Sequence, residues 1–254
     1  MLVTRAIRTA RPNAGRPVAI GRAAGNLALR LGRFENSPHV RTFGTARALV
    51  GALESGRVAA AVRGTLPAKR VVQQLERLAG GNPLCRGALL EPRPGRGVVL
   101  GPVGITEGGS AAARARFAVE AAGLLARAGL LSEPPLVAVL SIGRPEDAGR
   151  GAAVARSVAQ SAHVVKLLES RGLDAFSAGV QLEDVLFDAD IVVAPDGASG
   201  NLAFRALHLT AGMRSFGGLL LGLRLPFVDT SRARASFDDP LRLAAYLAAP
   251  APRG

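Results

Sequence analysis

Residues 136–142 read LVAVLSI and residues 190–194 read DIVVA, and these two runs indicate the fold. Both are rich in aliphatic and β-branched residues, and a glycine or proline follows each of them, at Gly143 and Pro195. Short continuous apolar runs bounded in this way are typical of parallel strands that are buried on both faces. The same pattern predicts three further strands, at 17–21, 58–62 and 97–101.

Stretches with helical character separate these predicted strands. Thr45 and Thr65 are predicted N-caps, because a threonine oxygen can accept a hydrogen bond from a free N–H of the first turn. The predicted helices are 45–55, 65–79, 110–128, 148–171, 199–211 and 240–247. Alternation of strands and helices along the whole chain predicts an α/β fold with a mainly parallel sheet.

The chain of 254 residues is long enough for one or two domains. Residues 91–97 read EPRPGRG, and this cluster of prolines and glycines interrupts the alternation. Such a cluster is either the loop of a hairpin or a crossing between domains.

The composition excludes several classes of protein. Hydrophobic residues make up 48% of the chain, which is enough for a sizeable core. The longest apolar candidate, 217–223, is far too short to span a bilayer, so no membrane partner is expected. The single cysteine, Cys85, excludes an internal disulfide and a cysteine-based zinc site, and the three histidines are unpatterned, so no metal is expected. The first residues lack the apolar core of a secretory signal, and a cytoplasmic protein is expected.

Arginine dominates the charge of the chain. The formal net charge is +13, and residues 1–80 alone hold 14 basic and three acidic side chains. This excess fits an arginine-rich solvated surface, a pocket for an anionic small molecule, or a nucleic-acid partner. The arginines are scattered and aromatic residues make up only 4% of the chain, so nucleic acid is the least favoured of the three.

The turn after the strand at 190–194 is the first candidate for a ligand site. Residues 195–201 read PDGASGN and lie between a predicted strand and a predicted helix, where α/β proteins bind ligands. Gly197 and Gly200 permit close approach of a backbone, and Ser199 can cap the helix, whose free N–H groups favour anions. An ordinary capped turn without a ligand explains the same residues. Residues 21–26, GRAAGN, lack the G-x-G-x-x-G spacing of a dinucleotide site, and no P-loop is present.

A longer pattern continues from this turn. Pro195-Asp196 is followed by Gly200-Asn201, by a glycine-bounded segment at 216–223, and by Pro226. Asp229-Thr230-Ser231-Arg232 comes next, with Asp238 seven residues after the serine. With these spacings, residues 189–247 resemble the phosphate acetyl/butyryltransferase family.

Within that superfamily, the chain is most similar to the shorter MtxX proteins of methanogens, also called methanogenesis marker 4, which carry the designation methyltransferase. Residues 102–108, PVGITEG, resemble their signature. The resemblance implies a three-layer α/β/α fold of the isocitrate/isopropylmalate-dehydrogenase type, with two subdomains, a cleft between them and pairing as a homodimer. The first subdomain would be 1–92, completed by 223–254, and the second would be 93–222.

The resemblance also implies an active site. Asp238 would take the thiol proton of coenzyme A, Arg232 would stabilise thiolate or phosphate charge, and Ser231 would hydrogen-bond the oxyanion that develops on the acyl carbon. The thiolate would attack an acyl phosphate, and phosphate would leave. No tightly bound cofactor is expected. The expected cosubstrate is coenzyme A or another phosphate-bearing molecule. The predicted substrate-binding residues are Asp196, Gly200, Asn201, Gly64, Thr65, Arg86 and Glu107.

The sequence departs from the family pattern at two places. Ala233 follows Ser-Arg where the family has glycine, and Gly64-Thr65 stand where the family has a histidine-containing loop. Arg63 and Arg86 are the nearest candidates for the family's phosphate-binding arginines. These departures leave two functions open: a transferase that moves an acyl or methyl group, and a non-catalytic member that binds a phosphate-bearing metabolite or a partner protein.

Structural interpretations of the same residues stay open. Asp238 or Asp239, before Pro240, would also make a good helix cap. Glu107 is either a cleft residue or a plain loop charge. Cys85 is expected to be a small buried hydrophobe and not a nucleophile.

Overall fold

The computed structural model describes residues 1–24, 30–231, 234 and 236–249. Two compact units make up the chain. Unit 1 comprises Met1–Thr4 and Cys85–Ser215, and unit 2 comprises Arg5–Leu84 and Phe216–Gly254. The predicted subdomain boundaries and the predicted cleft stay predictions.

Strands and helices alternate along the chain, which confirms the predicted α/β class. The strands are β1 Val18–Gly21, β2 Val40–Phe43, β3 Ala60–Val62, β4 Cys85–Arg93, β5 Arg96–Gly101, β6 Leu136–Leu140, β7 Asp174–Gly179, β8 Ile191–Val193, β9 Arg214–Leu221 and β10 Phe227–Asp229. The helices are α1 Arg5–Thr9, α2 Ala46–Glu54, α3 Ala68–Leu78, α4 Ala111–Arg127, α5 Ala152–Glu169, α6 Leu182–Val185, α7 Gly197–Arg205 and α8 Asp238–Leu247.

In unit 2 the strands lie in the order β2-β1-β3-β10-β9. The first four run parallel, and β9 is antiparallel to β10. β1 and β3 are buried over their whole length, as their continuous apolar runs predict. Side chains of α2, α3 and the sheet form the core, and among them are Ala19, Leu49, Leu53, Val71, Leu75 and Phe227.

In unit 1 the strands lie in the order β4-β5-β8-β6-β7. β4 and β5 form an antiparallel hairpin, while β5, β8, β6 and β7 run parallel. The core contains Ala88, Leu90, Val98, Leu100, Ala138 and Val192. Residues 91–97 thus include the turn of the hairpin between β4 and β5, which confirms the hairpin alternative.

Among the predicted threonine and serine caps, one is confirmed and two are wrong. The Thr45 side chain accepts a hydrogen bond from the backbone N–H of Ala48 and so caps α2, as predicted. Ser110, for which no cap was predicted, caps α4 in the same way, with the N–H of Ala113 as donor. Thr65 does not cap α3, because that helix begins three residues later, after Pro67. Ser199 does not cap α7, because Asp196 does so.

Within the described residues, no helix combines the length and the apolar character that crossing a membrane requires.

Candidate functional site

Three parallel strands of unit 2 bring predicted site residues to one edge of their sheet. β1, β3 and β10 end at Gly21, Val62 and Asp229. The carboxyl ends of parallel strands meet at the same edge, and this edge is where α/β sheets bind ligands. The loops that follow these strands carry Gly64, Thr65 and Ser231, three of the residues predicted for the site.

Hydrogen bonds tie these loops together. The backbone N–H of Thr65 donates to the carbonyl oxygen of Gly21 at 3.0 Å, and the Thr65 hydroxyl accepts from the N–H of Ala23 at 2.9 Å. The Thr230 hydroxyl donates to the carbonyl oxygen of Gly64 at 3.0 Å. Thr65, predicted to start a helix, therefore joins two loops of the edge. The hydrogen bond of Thr230, the residue just before Ser231, holds the loop after β10 against the loop of Gly64.

A buried ion pair lies beneath this edge. The Arg63 Nε donates to Asp229 Oδ1, and the Arg63 side chain is almost fully buried. Its Nη1 also donates to the carbonyl oxygen of Leu66 at 2.8 Å, while Asp229 Oδ1 accepts from the N–H of Thr230 at 2.9 Å. Arg63 was a candidate for a phosphate-binding arginine on the sequence pattern. In the structure it pairs with the Asp229 carboxylate, and this pair fixes the backbone just before Ser231.

Ser231 is half-buried, while Arg232 and Ala233 lie outside the described residues. Asp238 is the first residue of α8, and Phe237 is in the N-cap position, so the interpretation of Asp238 or Asp239 as the cap is wrong. Asp238 Oδ2 accepts from Arg242 Nε at 2.9 Å, and Oδ1 accepts from the backbone N–H of Arg33 at 3.3 Å. The carboxylate therefore links α8 to the turn at Gly32–Phe34.

In unit 1, the start of α7 packs tightly against the loop that follows β5. A Cβ built on Gly197 or Gly200 would lie less than 3.0 Å from backbone oxygens of Gly104 and Pro102, respectively. The Asn201 Nδ2 donates to the carbonyl oxygen of Val103 at 2.9 Å. The two glycines and Asn201 thus permit and hold a close contact between two backbone segments of the same unit.

Glu107 organises that loop. Its Oε1 accepts from Arg86 Nε at 2.7 Å, and its Oε2 accepts from the backbone N–H groups of Arg86 and Gly104 at 2.9 and 3.1 Å. Its carbonyl oxygen accepts from the N–H of Gly197 at 2.9 Å. Glu107 is a loop residue whose charge is paired, and it connects β4, the loop after β5 and the start of α7.

Arg114 is a charged residue of unit 1 that the sequence reasoning missed. It is buried in α4, on the helix face that also carries Phe117, Ala118 and Ala121. Burial lowers the pKa of Arg114 to about 10, and the charge of Asp196 opposes this shift. The guanidinium therefore stays protonated at neutral pH. An arginine at a position where helical spacing predicts the core is the signal that could have found it.

The structure brings the predicted residues together in two groups. Gly64, Thr65 and Ser231 lie at the edge of unit 2, while Arg86, Glu107, Asp196, Gly200 and Asn201 lie in unit 1. That both groups serve one ligand stays a prediction. Across the ranges given above, no three His, Cys, Asp or Glu side chains form a group that could hold a metal ion.

Cys85 is expected to resist alkylation in the folded protein. Burial, together with the charge of Glu107, raises the pKa of the thiol to about 12, so at pH 8 only about one molecule in 10,000 carries the reactive thiolate. Iodoacetamide at pH 8 should leave the native chain unmodified for the time in which the urea-unfolded chain reacts fully, measured by intact mass. Equal rates in the two states would contradict this prediction.

Comparison with known proteins identifies similar chains. The family model described as phosphate acetyl/butaryl transferase matches residues 181–248. An uncharacterized methyltransferase of Methanopyrus kandleri is 40% identical over 82% of this chain and 82% of its own length. A Methanosarcina barkeri protein named "Putative methyltransferase mtx subunit X" is 36% identical over 76% of this chain and 70% of its own length.

Solved structures show the same fold. A branched-chain phosphotransacylase of Enterococcus faecalis has a TM-score of 0.65 and 18% identity, covering 91% of this chain and 88% of its own. A beta-decarboxylating dehydrogenase of Thermococcus kodakarensis has a TM-score of 0.50 and 12% identity, covering 92% of this chain and 81% of its own. These neighbours confirm the predicted dehydrogenase-like fold type, and the relatives confirm the family resemblance.

Proposed function

Because the chain belongs to the family of the methanogen mtx subunit X proteins, we propose that it is a transferase that acts on a small phosphate-bearing or coenzyme A-type substrate. One observation carries the proposal. The stretch that matches the phosphate acetyl/butaryl transferase model contributes β10 and the Thr230–Ser231 turn, which hydrogen bonds hold at the carboxyl edge of unit 2. We further propose a cytoplasmic homodimer, whose subunit number light scattering would measure.

In the proposed reaction, a thiol of the coenzyme A type loses its proton to Asp238, and its sulfur attacks the carbonyl carbon of an acyl phosphate. The bond from that carbon to the phosphate oxygen breaks, and phosphate leaves with the electron pair. Ser231 would hydrogen-bond the oxyanion on the acyl carbon, and Arg232 would stabilise the charge of the thiolate or the phosphate. A carboxylate is a weak base for a thiol, so this charge stabilisation is needed.

The contacts around the edge support these roles. Thr230 is fixed from two sides, by Gly64 and by Asp229, which limits the positions that Ser231 can adopt. The two Asp238 oxygens each accept one hydrogen bond, from Arg242 and Arg33, and each oxygen has a further lone pair that could receive a proton.

Transfer of a methyl group is the second candidate. The names of the two methanogen relatives favour it, since both contain the word methyltransferase. The same residues would then bind an anionic methyl donor or acceptor. A non-catalytic member that only binds such a ligand is the remaining alternative.

A ligand panel separates these functions. Thermal unfolding would be measured with coenzyme A, acetyl phosphate, phosphate, S-adenosylmethionine and a pterin cofactor, because a ligand at 100 times its Kd stabilises by about 2.7 kcal/mol. Stabilisation by coenzyme A and acetyl phosphate, followed by formation of acetyl-coenzyme A and loss of both signals in Arg232→Ala, would support acyl transfer. Stabilisation by the methyl donors alone would favour the second candidate, and binding without product would favour a non-catalytic role.

Asp238→Asn is expected to lower product formation at least 100-fold, because an amide does not take the thiol proton. Arg242→Met is the matched control, since it breaks the same ion pair and keeps the carboxylate. It should lose stability and retain turnover per folded molecule. Equal losses of turnover in both variants would assign Asp238 a purely structural role.

A further inference from the structure

Arg114 has a buried guanidinium that the chain satisfies only in part. The residue is 1% exposed, and its Nη2 donates to the carbonyl oxygen of Leu140 at 2.6 Å. Nε and Nη1 have no hydrogen-bond partner among the described residues. These two atoms carry up to three N–H donors, and a buried donor without an acceptor is costly. The interior of unit 1 thus presents a positive charge with free donors.

The guanidinium lies at a switch in the topology of the sheet. Its partner Leu140 is the last residue of β6, and β8 is the neighbouring strand. From β6 the chain enters α5, which packs on β6 and β7, whereas from β8 it enters α7, which packs on β5. The outgoing connections of β6 and β8 therefore diverge. α/β sheets bind ligands where such connections diverge, at the carboxyl ends of their parallel strands.

The surroundings of Arg114 favour an anion. The residue is in the first turns of α4, a helix of 17 residues whose N-cap is Ser110, and the N-terminal end of a helix carries partial positive charge. Asp196 is the acidic group whose charge acts on Arg114, and its Oδ1 already accepts from the N–H of Ser199 at 2.7 Å. Asp196 thus offsets part of the charge, while the Nε and Nη1 donors stay available.

We propose that unit 1 contains a subsite for an oxyanion group, a phosphate or carboxylate of a small molecule, at the carboxyl ends of β6 and β8, with Arg114 as its cationic residue. This goes beyond the proposed transfer reaction, which concerns residues of unit 2. The stem of Arg114 lies under the loop after β5, since a Cβ built on Gly108 would be 3.6 Å from Arg114 Cγ. Because the free donors are out of contact with solvent, this loop or the turn at Asp196 must move to admit the anion.

Thermal unfolding of the full chain in phosphate, sulfate or acetate, against sodium chloride of equal ionic strength, tests the subsite. Wild type should gain several degrees in Tm with at least one of the oxyanions. Arg114→Met should match or exceed the wild-type Tm in chloride, because it removes an unpaired buried charge, and should lose the oxyanion-dependent shift. Arg127→Met removes an exposed charge at the other end of α4 and should keep the shift.

Two further measurements complete the test. Arg232→Ala should keep the part of the shift that depends on Arg114, which separates this subsite from the proposed site of unit 2. Tungstate soaked into wild-type crystals should give an anomalous peak within hydrogen-bond distance of Arg114 Nε or Nη1, a result that needs no folded variant. An unchanged shift in Arg114→Met, or water alone at the guanidinium in the tungstate crystals, would overturn the proposal.

Discussion

Asp229→Asn is expected to destabilise the protein by about 3 kcal/mol, because it leaves the buried guanidinium of Arg63 without its counter-charge. Breaking one side of a buried pair is costly, whereas an exposed pair contributes little. The same change weakens the hydrogen bond that Asp229 Oδ1 accepts from the backbone N–H of Thr230, because a neutral amide oxygen replaces the charged carboxylate oxygen. Urea unfolding at pH 7 measures the loss of stability, and the turnover of the folded protein measures the effect on Ser231.

Glu54→Gln is the matched control for this prediction. It also converts a carboxylate to an amide in unit 2, but at an exposed position near the end of α2, and its effect should stay within about 0.5 kcal/mol. The double variant Arg63→Met with Asp229→Leu should recover much of the stability, because it removes both charges together. If Asp229→Asn were as stable as wild type, the ion pair between Arg63 and Asp229 would not hold this edge together.

Gly64→Ala is expected to cost about 3 kcal/mol more than Gly56→Ala. Both glycines have positive φ angles, 61° and 70°, so an alanine is strained at each. At Gly64 the added Cβ would also lie less than 3.0 Å from the carbonyl oxygen of Gly21, whereas at Gly56 no atom lies within 4 Å. The difference in the free energy of unfolding between the two variants therefore measures only the clash of the new Cβ with the Gly21 carbonyl oxygen, which pushes the two backbone segments apart.

The midpoints of urea unfolding for the two alanine variants measure this difference. We also expect Gly64→Ala to separate the loops after β1 and β3 and so to weaken the phosphate binding proposed for unit 2. Because both alanine variants suffer the same backbone strain, equal destabilisation by Gly64→Ala and Gly56→Ala would contradict the prediction. It would mean that the backbone around Gly64 and Gly21 moves apart at no cost in stability.

The sequence predicted the buried strands better than the strands at the margins of the sheets. β6 and β8 are continuous apolar runs, and their positions were found within two residues. β2 and β7 are edge strands with several exposed residues, so they lack the apolar run that marks a buried strand. Three-residue β10 was too short to show any periodicity, and only the family pattern pointed to its position.

For the candidate site, the sequence could predict groups of residues that are close together in the chain but not contacts between residues that are far apart in it. The spacing of Ser231, Arg232 and Asp238 is local, so the family resemblance could supply it. Arg63 and Asp229 are 166 residues apart in sequence, and nothing in either neighbourhood indicates that they pair. Arg242, the partner of Asp238, is four residues away, and the helical spacing of the two residues is a local signal that indicates this pair.

The parallel pairing of β10 with β3 has a consequence for synthesis of the chain. Phe227 lies beside Ala61, so the two strands are joined only after the whole of the intervening sequence has left the ribosome. During translation, the segment Cys85–Ser215 is complete before β10 exists, and it can collapse while the N-terminal strands still lack their neighbour. The edge that carries Ser231 can thus be assembled only after the segment Cys85–Ser215 has been synthesised, and a chain released before β10 would contain unit 1 without this edge.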